Sequence, residues 1–405
     1  MNNIRFGANY IPSKNWLHSW MNWDSKSVEE DLIAIKDMGL DHIRAHLIWP
    51  YFQINPNAMS PSAMKNLEDF MKICDKVGID CFITLFTGWM SGFRFLPHYQ
   101  EKLTGSYNEG VFNNPEMIKA EEFYIREVAK VVTKSKSFVG FDLGNELTML
   151  VYNDDKVTIP ECDAWHKRML ALCNELAPGK LNNNGVDHQP WFNEFGFSRE
   201  VLANVGEIIP LHTYALFTGA IERFGRMSTE SYHLAPFMTE MAKAFANDLN
   251  QPYWIQEFGT VEDEFTDETE EFILRSMEAM YTSKDMWITW WCTHNLPEGY
   301  TGYDSIEYKL GLLDCDNKPT PSGELFKRII KKYKEESFVP PERTTAFVLK
   351  SYDSNGVMSP DIIWGNGKRY AELVEQGIYP AMILPEKAND IEYLKMRGIE
   401  KVLPD

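Results

Sequence analysis

The sequence predicts an α/β protein, a (β/α)8 barrel of the TIM type with a small carboxy-terminal α/β appendage. Short β-rich runs alternate with helical patterns, which is typical of βα units around a parallel sheet. Eight such runs precede residue 335, and eight parallel strands close a barrel. The predicted strands are residues 4–8, 42–47, 81–86, 139–143, 181–184, 208–212, 253–256 and 286–291.

Start and stop signals mark the helices between these runs. Ser27 with Glu30 has the pattern of a capping box, and Gly39 follows the apolar series of the first helix as a left-handed cap does. Ser60 followed by Pro61 begins the next helix with proline at its first position, and Gly78 ends it. Asn114 followed by Pro115 begins the third helix with the same pattern. Further helices are predicted at about 115–135, 160–176, 199–205, 238–249, 267–282 and 322–334.

The composition changes after Tyr333, where residues 338–341 have the character of a linker. One more β, α, β, α series follows at 346–349, 370–376, 380–384 and 391–396. We therefore expect a catalytic barrel over residues 1–335 and a small α/β domain over 342–405. The second unit is short and has no Gly-x-Gly-x-x-Gly motif, which favours a role in packing or assembly.

The charge balance excludes nucleic acid as a partner. The 405 residues contain 59 Asp or Glu and 40 Lys or Arg, a net charge of −19, whereas phosphate binding needs a basic face. No apolar stretch approaches the length of a membrane span, and no leader is visible at the start. We expect a cytoplasmic protein with reduced cysteines and no membrane contact. The oligomeric state is not predicted.

Two carboxylates stand at the ends of predicted strands. Glu146 ends the fourth run and Glu257 ends the seventh. Active sites of eightfold barrels form at the carboxyl ends of the strands, and strands four and seven face each other across the ring. Such a pair is what glycoside cleavage needs, because one carboxyl group protonates the departing oxygen while the other attacks the anomeric carbon.

Other strand ends add polar and aromatic groups to this mouth. Arg44 lies on strand two, His212 and Tyr214 on strand six, and Trp291 on strand eight. A single motif of this kind is weak, but the joint pattern is difficult to obtain from packing alone. No His-x-His or His-Glu-x-x-His spacing is present, so we expect neither a metal nor a cofactor.

This set resembles the retaining glycoside hydrolases of clan A, and specifically family 5, over residues 1 to about 335. The resemblance implies that Glu146 is the acid/base and Glu257 the nucleophile. Arg44 beside Glu257 would favour the ionised form of that carboxyl. Glu146 has no fixed cation in its motif, so we expect it to keep its proton near neutral pH.

The same resemblance assigns further roles. Asn145 would hold the sugar 2-hydroxyl, and Arg44 with Tyr214 would hydrogen-bond the nucleophile. His212 would line the same pocket, and Trp291 would form the floor of the reacting-sugar site. If strand eight is regular, Trp290 faces the opposite way.

The amino-terminal segments are similar to the subfamily-18 branch of family 5, which is known for exo-acting β-mannosidases of N-glycan core oligosaccharides. The segments are GANYIPS at 7–13, WLHSW at 16–20, GLDHIR at 39–44 and WP at 49–50. This chain departs from the branch after strand three, where Trp89 stands in place of a polar histidine. Trp89 and Trp20 lie in or beside predicted loops at the strand C-termini, where an indole can stack on a sugar face, so both are predicted to contact substrate. His18, from the loop after strand one, is predicted to do the same.

We expect an exo-acting β-mannosidase that cleaves short β-1,4-mannosides such as mannosyl-β-1,4-N-acetylglucosamine. The loop over residues 87–113, about 27 residues, far exceeds an ordinary βα loop and carries enough aromatic side chains, Tyr107 among them, to close one end of the groove. An endo-β-1,4-mannanase or β-glucanase of the same family is the alternative. A catalytically silent sugar-binding protein and a metal-dependent barrel hydrolase are the alternatives from other classes.

Overall fold

The computed structural model describes residues 4–100, 110–152, 156–260, 265–281, 286–336 and 339–404. Tyr107, one of the aromatic residues expected in the long third loop, lies outside these ranges. Within them, no helix is both long and apolar enough to cross a membrane. All six cysteines are free thiols, as the sequence predicts.

Strands and helices follow one another along the barrel, up to residue 335, and again in the carboxy-terminal unit. The strands are β1 (Arg5–Tyr10), β2 (His42–Ile48), β3 (Gln53–Asn55), β4 (Ala58–Met59), β5 (Asp80–Thr87), β6 (Trp89–Met90), β7 (Phe93–Arg94), β8 (Phe138–Gly144), β9 (Ile209–His212), β10 (Tyr253–Phe258), β11 (Met286–Trp290), β12 (Thr345–Val348), β13 (Ala381–Ile383) and β14 (Lys401–Leu403). The helices are α1 (Ser25–Asp37), α2 (Trp49–Phe52), α3 (Pro61–Val77), α4 (Pro115–Val132), α5 (Thr148–Val151), α6 (Ile159–Leu176), α7 (Gln189–Phe192), α8 (Arg199–Leu202), α9 (Ala220–Phe224), α10 (Thr229–Tyr232), α11 (Leu234–Phe245), α12 (Asp267–Met280), α13 (Pro321–Glu335), α14 (Pro360–Glu375) and α15 (Ile391–Met396).

The barrel wall is a parallel sheet in the order β8-β5-β2-β1-β11-β10-β9. The predicted strand at 181–184 fills the remaining position only as an irregular segment, joined to β8 by a parallel bridge between Asp142 and Asn183. On its other side it is tied to the chain before β9 by a hydrogen bond from the Glu207 N–H to the Asn182 carbonyl (2.8 Å). The (β/α)8 architecture is confirmed, and its fifth wall position is the least regular.

The predicted helix signals are mostly confirmed. Ser60 and Asn114 cap α3 and α4, each followed by proline, and Gly78 ends α3 with φ +75°. The prediction for the first helix was wrong by three residues, because Asp24 rather than Ser27 is the N-cap and accepts a hydrogen bond from the Ser27 N–H. Asp and Ser both cap well, so the sequence leaves this choice open.

The carboxy-terminal unit is a three-stranded parallel sheet in the order β13-β12-β14, with α14 and α15. Its helix α14 begins about ten residues earlier than predicted, at Pro360 behind the N-cap Ser359, and the closing strand β14 was not predicted. Trp364 of α14 packs on Phe237 and donates its indole N–H to the Thr218 carbonyl (3.2 Å). The unit thus shares its hydrophobic core with the barrel.

Candidate active site

A cavity of about 400 Å³ opens at the carboxyl ends of the barrel strands. Its wall is formed by residues that the sequence analysis predicted for the site and by others that it did not. They are Trp89, Ser91, Gly92, Asn145, Glu146, Met149, Asp187, His188, Gln189, Tyr214, Phe217, Glu257, Trp291, Asp304, Ile306, Glu307 and Leu310. Both predicted catalytic carboxylates are among them. The cavity has the size of a small-ligand site and holds several carboxyl groups.

Glu146 and Glu257 meet in this cavity from different strands. Glu257 lies on β10, and Glu146 follows β8 with a left-handed backbone (φ +49°). The backbone N–H of Glu146 donates to the Gly185 carbonyl at 2.9 Å. Gly185 itself has φ +65°, and a Cβ there would lie 1.9 Å from the Gly144 carbonyl oxygen, so only glycine lets the fifth segment pass this close to β8.

The two carboxyl groups are close together. Facing oxygens of Glu146 and Glu257 lie within 4.8 Å of each other, and a ring nitrogen of His212 is within the same distance of both. Retaining glycosidases hold their carboxyl groups about 5 to 5.5 Å apart, whereas inverting ones need about 6.5 to 9.5 Å to admit a water. An oxygen pair within 4.8 Å fits the retaining arrangement more closely than the inverting one.

Arg44 on β2 binds the predicted nucleophile. Its Nη1 lies 2.8 Å from Glu257 Oε1, and its Nε lies 2.7 Å from Asp142 Oδ2. The guanidinium is fully buried, and Asn9 accepts a further hydrogen bond from Nη1 at 3.1 Å. Two carboxylates and an amide therefore fix its orientation, since a planar guanidinium offers its donors in one rigid fork.

His212 joins the two glutamates. Its Nδ1 lies 3.1 Å from Glu146 Oε1 and 3.6 Å from Glu257 Oε2, while its Nε2 hydrogen-bonds to Gln256 Oε1 at 2.9 Å. Burial alone would lower the pKa of His212, but the charges of Glu257 and Glu146 raise it to about 9. The imidazole is therefore a cation at neutral pH, a role that its motif did not reveal.

This cation reverses the expected titration of the pair. Burial raises the pKa of Glu146, but the hydrogen bond and charge of His212 outweigh burial and bring that pKa below its usual range. Burial raises the pKa of Glu257 above its usual range, although His212 and Arg44 oppose the rise. The expectation that Glu146 lacks a cation was wrong. At neutral pH the proton shared by this pair therefore lies on His212, within hydrogen-bond distance of Glu146.

The donor atoms of Glu146, His212 and Glu257 also have the spacing of a metal site. The fit to a divalent cation is poor, because Arg44 already occupies Glu257 Oε1 and places a second positive charge beside the cluster. The residues fit an acid, a nucleophile and a shared proton better than a metal centre.

Four further predicted residues line the cavity. The Asn145 amide donates to the Trp89 carbonyl at 3.0 Å, and its Oδ1 has no hydrogen-bond partner among the described residues. Trp291 and Trp89 lie on the wall. Tyr214 is also there, but its hydroxyl group has no hydrogen-bond partner in the described ranges, so the expected bond to Glu257 is not formed.

The remaining predicted contacts lie away from the cavity. Trp20 is buried, stacks on Trp23 and donates its indole N–H to the His46 carbonyl at 2.7 Å, so it packs in the core instead of facing a sugar. His18 is hydrogen-bonded through Nδ1 to the Tyr51 hydroxyl (2.9 Å) and does not line the cavity. Trp290 points away from the cavity, as predicted, and donates to the Leu310 carbonyl.

Several wall residues were not predicted. Asp187 and His188 follow the irregular fifth segment and were not among the predicted contacts. Burial and the adjacent Glu146 raise the pKa of Asp187 to about 7, and burial lowers that of His188 to about 4. Phe217 and Glu307 belong to loops without a periodic pattern. Among these residues, only Asp187 and His188 could have been predicted, because both follow a predicted strand.

Comparison with known proteins decides the family. The family model described as cellulase, glycosyl hydrolase family 5, matches residues 6–296, which is most of the barrel. The chain belongs to glycoside hydrolase family 5. A curated relative, cellodextrinase A of Ruminococcus flavefaciens, is 24% identical over 173 residues, which is 41% of this chain and 46% of that protein. The chain thus matches less than half the length of that relative.

Solved structures extend the family 5 likeness to the whole chain. A subfamily-18 enzyme from Streptomyces cattleya, a glutamate-to-alanine variant in complex with Manβ1-4GlcNAc, is 28% identical with a TM-score of 0.91, and the match covers 98% of both chains. A subfamily-18 variant from Bifidobacterium longum with the same disaccharide is 27% identical with a TM-score of 0.87, covering 99% of this chain and 95% of that one. An exo-β-1,4-mannosidase from an Opitutaceae bacterium, 21% identical with a TM-score of 0.81, shares the fold over 95% of this chain and 70% of its own.

Proposed function

We propose that this protein is a retaining, exo-acting β-mannosidase that hydrolyses short β-1,4-mannosides such as mannosyl-β-1,4-N-acetylglucosamine. The observation that carries the proposal is the meeting of Glu146, His212 and Glu257 within 4.8 Å in one cavity. Two subfamily-18 structures similar over the whole chain hold Manβ1-4GlcNAc, which supports the choice of sugar.

In the proposed reaction, Glu257 attacks the anomeric carbon while Glu146 transfers a proton to the departing glycosidic oxygen. The bond from C1 to that oxygen breaks, and a covalent mannosyl-Glu257 ester forms. Glu146, now ionised, accepts a proton from water, and the resulting attack on C1 releases Glu257 and mannose. Both steps invert C1, so the β configuration is retained.

Arg44 and His212 serve these steps electrostatically. Arg44 holds Glu257 Oε1 at 2.8 Å and stabilises its negative charge before attack and after release. His212 supplies the positive charge next to Glu146, and transfer of its Nδ1 proton over the 3.1 Å contact produces the acid form of Glu146. Asn145, on the cavity wall, is the proposed partner of the sugar 2-hydroxyl.

Exo action is proposed from the closed side of the cavity. The β6–β7 hairpin and the 3-10 turn Ser305–Lys309 approach each other, with Ser91 Oγ donating to Glu307 Oε2 at 3.0 Å. Phe93 packs on Tyr303 beside them (4.8 Å between ring centroids). A cavity walled on one side admits the end of a sugar chain more readily than its middle.

The proposal is tested by product analysis. Purified protein is expected to release mannose and N-acetylglucosamine from the disaccharide, with β-mannose as the first-formed anomer in a proton NMR time course. Aryl β-glucosides and β-galactosides should react far more slowly than the aryl β-mannoside. Mannohexaose should lose single mannose units, and early mannobiose and mannotriose would instead show an endo-mannanase. Faster hydrolysis of cellotriose than of mannotriose would indicate a β-glucanase and overturn the assignment.

The carboxy-terminal unit, residues 342–405, is proposed to serve packing and not catalysis. The proposed catalytic pair and the described cavity-lining residues all precede residue 311. The unit instead contacts the outer helices of the barrel through Trp364 and through an ion cluster around Glu240. A cytoplasmic location stays a prediction, which fractionation of the source cells would test.

A further inference from the structure

Glu307 is a cavity-wall carboxyl that the proposed reaction does not use. It lies in the 3-10 turn Ser305–Lys309 after the last barrel strand, with its side chain mostly buried. Its Oε2 accepts a hydrogen bond from Ser91 Oγ at 3.0 Å. Among the described residues it forms no ion pair, unlike Glu257, which is paired with Arg44. A mostly buried carboxylate without a cation is costly to keep.

The backbone of Glu307 is fixed in place. Its carbonyl accepts from the Leu296 N–H at 3.2 Å, and its own N–H donates to the Asp304 carbonyl at 3.1 Å. Leu310, at the end of the same turn, accepts through its carbonyl from the Trp290 indole. The carboxyl group is therefore presented to the cavity by a turn anchored to β11, which suits a group that must hold one position against a ligand.

The sheet order places Glu307 opposite the leaving-group side. Ser91 and Glu307 come from the loops after β5 and β11, and their contact spans the ends of β2 and β1 between those strands. Glu146 follows β8 and Asp187 follows the fifth segment, on the other side of the mouth. Because the acid/base must stand beside the departing oxygen, the aglycone leaves toward Glu146 and the non-reducing end faces Glu307.

The chemistry of a carboxylate matches that end of a sugar. The C4 and C6 hydroxyls of a terminal pyranose are donors, and a carboxylate can accept from both at once. Charge-assisted hydrogen bonds of this kind offset the cost of keeping Glu307 among Glu257, Glu146 and Asp304. Burial and these carboxylates raise the pKa of Glu307 to about 7, so a hydroxyl donor would replace a bound proton near neutral pH.

We propose that Glu307 is a specificity-determining residue that binds the C4 or C6 hydroxyl of the terminal sugar, and that its contact with Ser91 closes the cavity beyond that end. This rests on the proposed exo-glycosidase function. It assigns to one side chain both the recognition of a free non-reducing end and the rejection of a chain extended there.

The experiment is a cycle of enzyme and substrate deletions. Wild type, Glu307→Ala and Glu307→Gln are assayed with 4-nitrophenyl β-mannoside and with its 4-deoxy and 6-deoxy analogues. Wild type should lose about 10- to 100-fold in kcat/KM with at least one analogue, as expected for a lost hydrogen bond to a charged group. Glu307→Ala should lose a similar factor with the parent substrate and nothing further with that analogue. Glu307→Gln, which keeps one acceptor, should lie between them.

Equal deoxy penalties in wild type and Glu307→Ala would overturn the proposal. Glu298→Gln is the matched control, an exposed carboxylate in the same loop that should leave all three rates unchanged. Melting temperatures of the variants separate a binding defect from unfolding, and Glu307→Gln keeps the test open if Glu307→Ala does not fold.

If another β-glycoside is hydrolysed and mannosides are not, the choice of sugar fails. The same cycle with deoxy analogues of that sugar then still tests Glu307.

Discussion

The imidazole of His212 is hydrogen-bonded to Glu146, with 3.1 Å between Nδ1 and Oε1. The same Nδ1 lies 3.6 Å from Glu257 Oε2, so one ring is shared by the proposed acid/base and the proposed nucleophile. A protonated His212 beside ionised Glu146 and a neutral His212 beside protonated Glu146 differ only in the position of one proton. The acid is thus supplied by a pair of residues, not by an isolated carboxyl group.

Replacing His212 should move the alkaline limb of the activity profile. In the wild type the shared proton is held by a group whose pKa is about 9, so kcat/KM should persist into mildly alkaline pH. In His212→Gln the proton resides on Glu146 alone and is lost at lower pH. The alkaline limb should therefore shift to lower pH in a profile measured with an aryl mannoside. The exposed His98→Gln is the control, and an unchanged limb in His212→Gln would show that His212 does not share the proton.

Glu121 makes stability depend on pH without taking part in the site. It is fully buried on α4, its Oε2 accepts from the Trp165 indole at 2.8 Å, and burial raises its pKa to about 8. The folded state therefore keeps a proton that the unfolded chain loses above about pH 4.5, and stability falls as pH rises from there to about 8.

Glu121→Gln should remove this dependence while keeping an acceptor for Trp165. The free energies of unfolding of the variant and the wild type are measured by urea titration at pH 8 and at pH 4.5. The difference between them, variant minus wild type, should be about 2 to 4 kcal/mol larger at pH 8 than at pH 4.5. Glu116→Gln, at the partly exposed start of the same helix, should show no such difference. Parallel pH dependence in wild type and Glu121→Gln would contradict the assignment.

Glu240 links the barrel to the carboxy-terminal unit. Its buried carboxylate lies 3.0 Å from Lys243 Nζ, 3.3 Å from Arg343 Nε and 2.7 Å from Arg397 Nη2. Burial alone would raise the pKa of Glu240, but these cations lower it to about 2. Its contribution to stability is present above about pH 4.5 and is lost as pH falls toward 2.

Glu240→Gln leaves three cations without their carboxylate and should cost about 3 to 5 kcal/mol of unfolding free energy at neutral pH. Glu375→Gln removes an exposed carboxylate that bonds Thr229 at the same interface, and should cost about 0.5 kcal/mol or less. Urea unfolding of the full chain compares the two. Equal losses would show that the cluster is not what joins the unit to the barrel.

The sequence predicted the site residues that lie on or directly after regular strands, and it missed the site residues that lie in irregular loops. Glu146, Glu257 and Arg44 follow or lie on strands with clear apolar patterns, so their shared direction could be read in advance. Glu307 and Phe217 lie in loops whose path depends on contacts across the mouth. The fifth strand was placed correctly, but its asparagine-rich run gives side-chain hydrogen bonds in place of a regular ladder, as in Gln256 to Asn183 (3.1 Å).

Electrostatic interactions between residues far apart in the sequence could not be predicted from the sequence either. The effect of His212 on Glu146 depends on one contact between residues 66 positions apart. For Trp20 the sequence predicted a sugar contact that the structure does not show. An aromatic residue in a loop near the mouth of the barrel can either stack on a sugar or fill the core. Its indole N–H donates to the His46 carbonyl and its ring stacks on Trp23, so Trp20 packs in the core.

The anomer formed with azide tests the roles of the two glutamates most directly. Glu257→Ala, with 2,4-dinitrophenyl β-mannoside and azide, should give α-mannosyl azide, because azide enters from the face that Glu257 occupied. Glu146→Ala under the same conditions should give β-mannosyl azide through the covalent intermediate. NMR of the products distinguishes the two. Exchanged anomers, or a Glu257→Ala variant that keeps more than about a tenth of the wild-type rate without azide, would contradict the assignment of Glu257 as nucleophile.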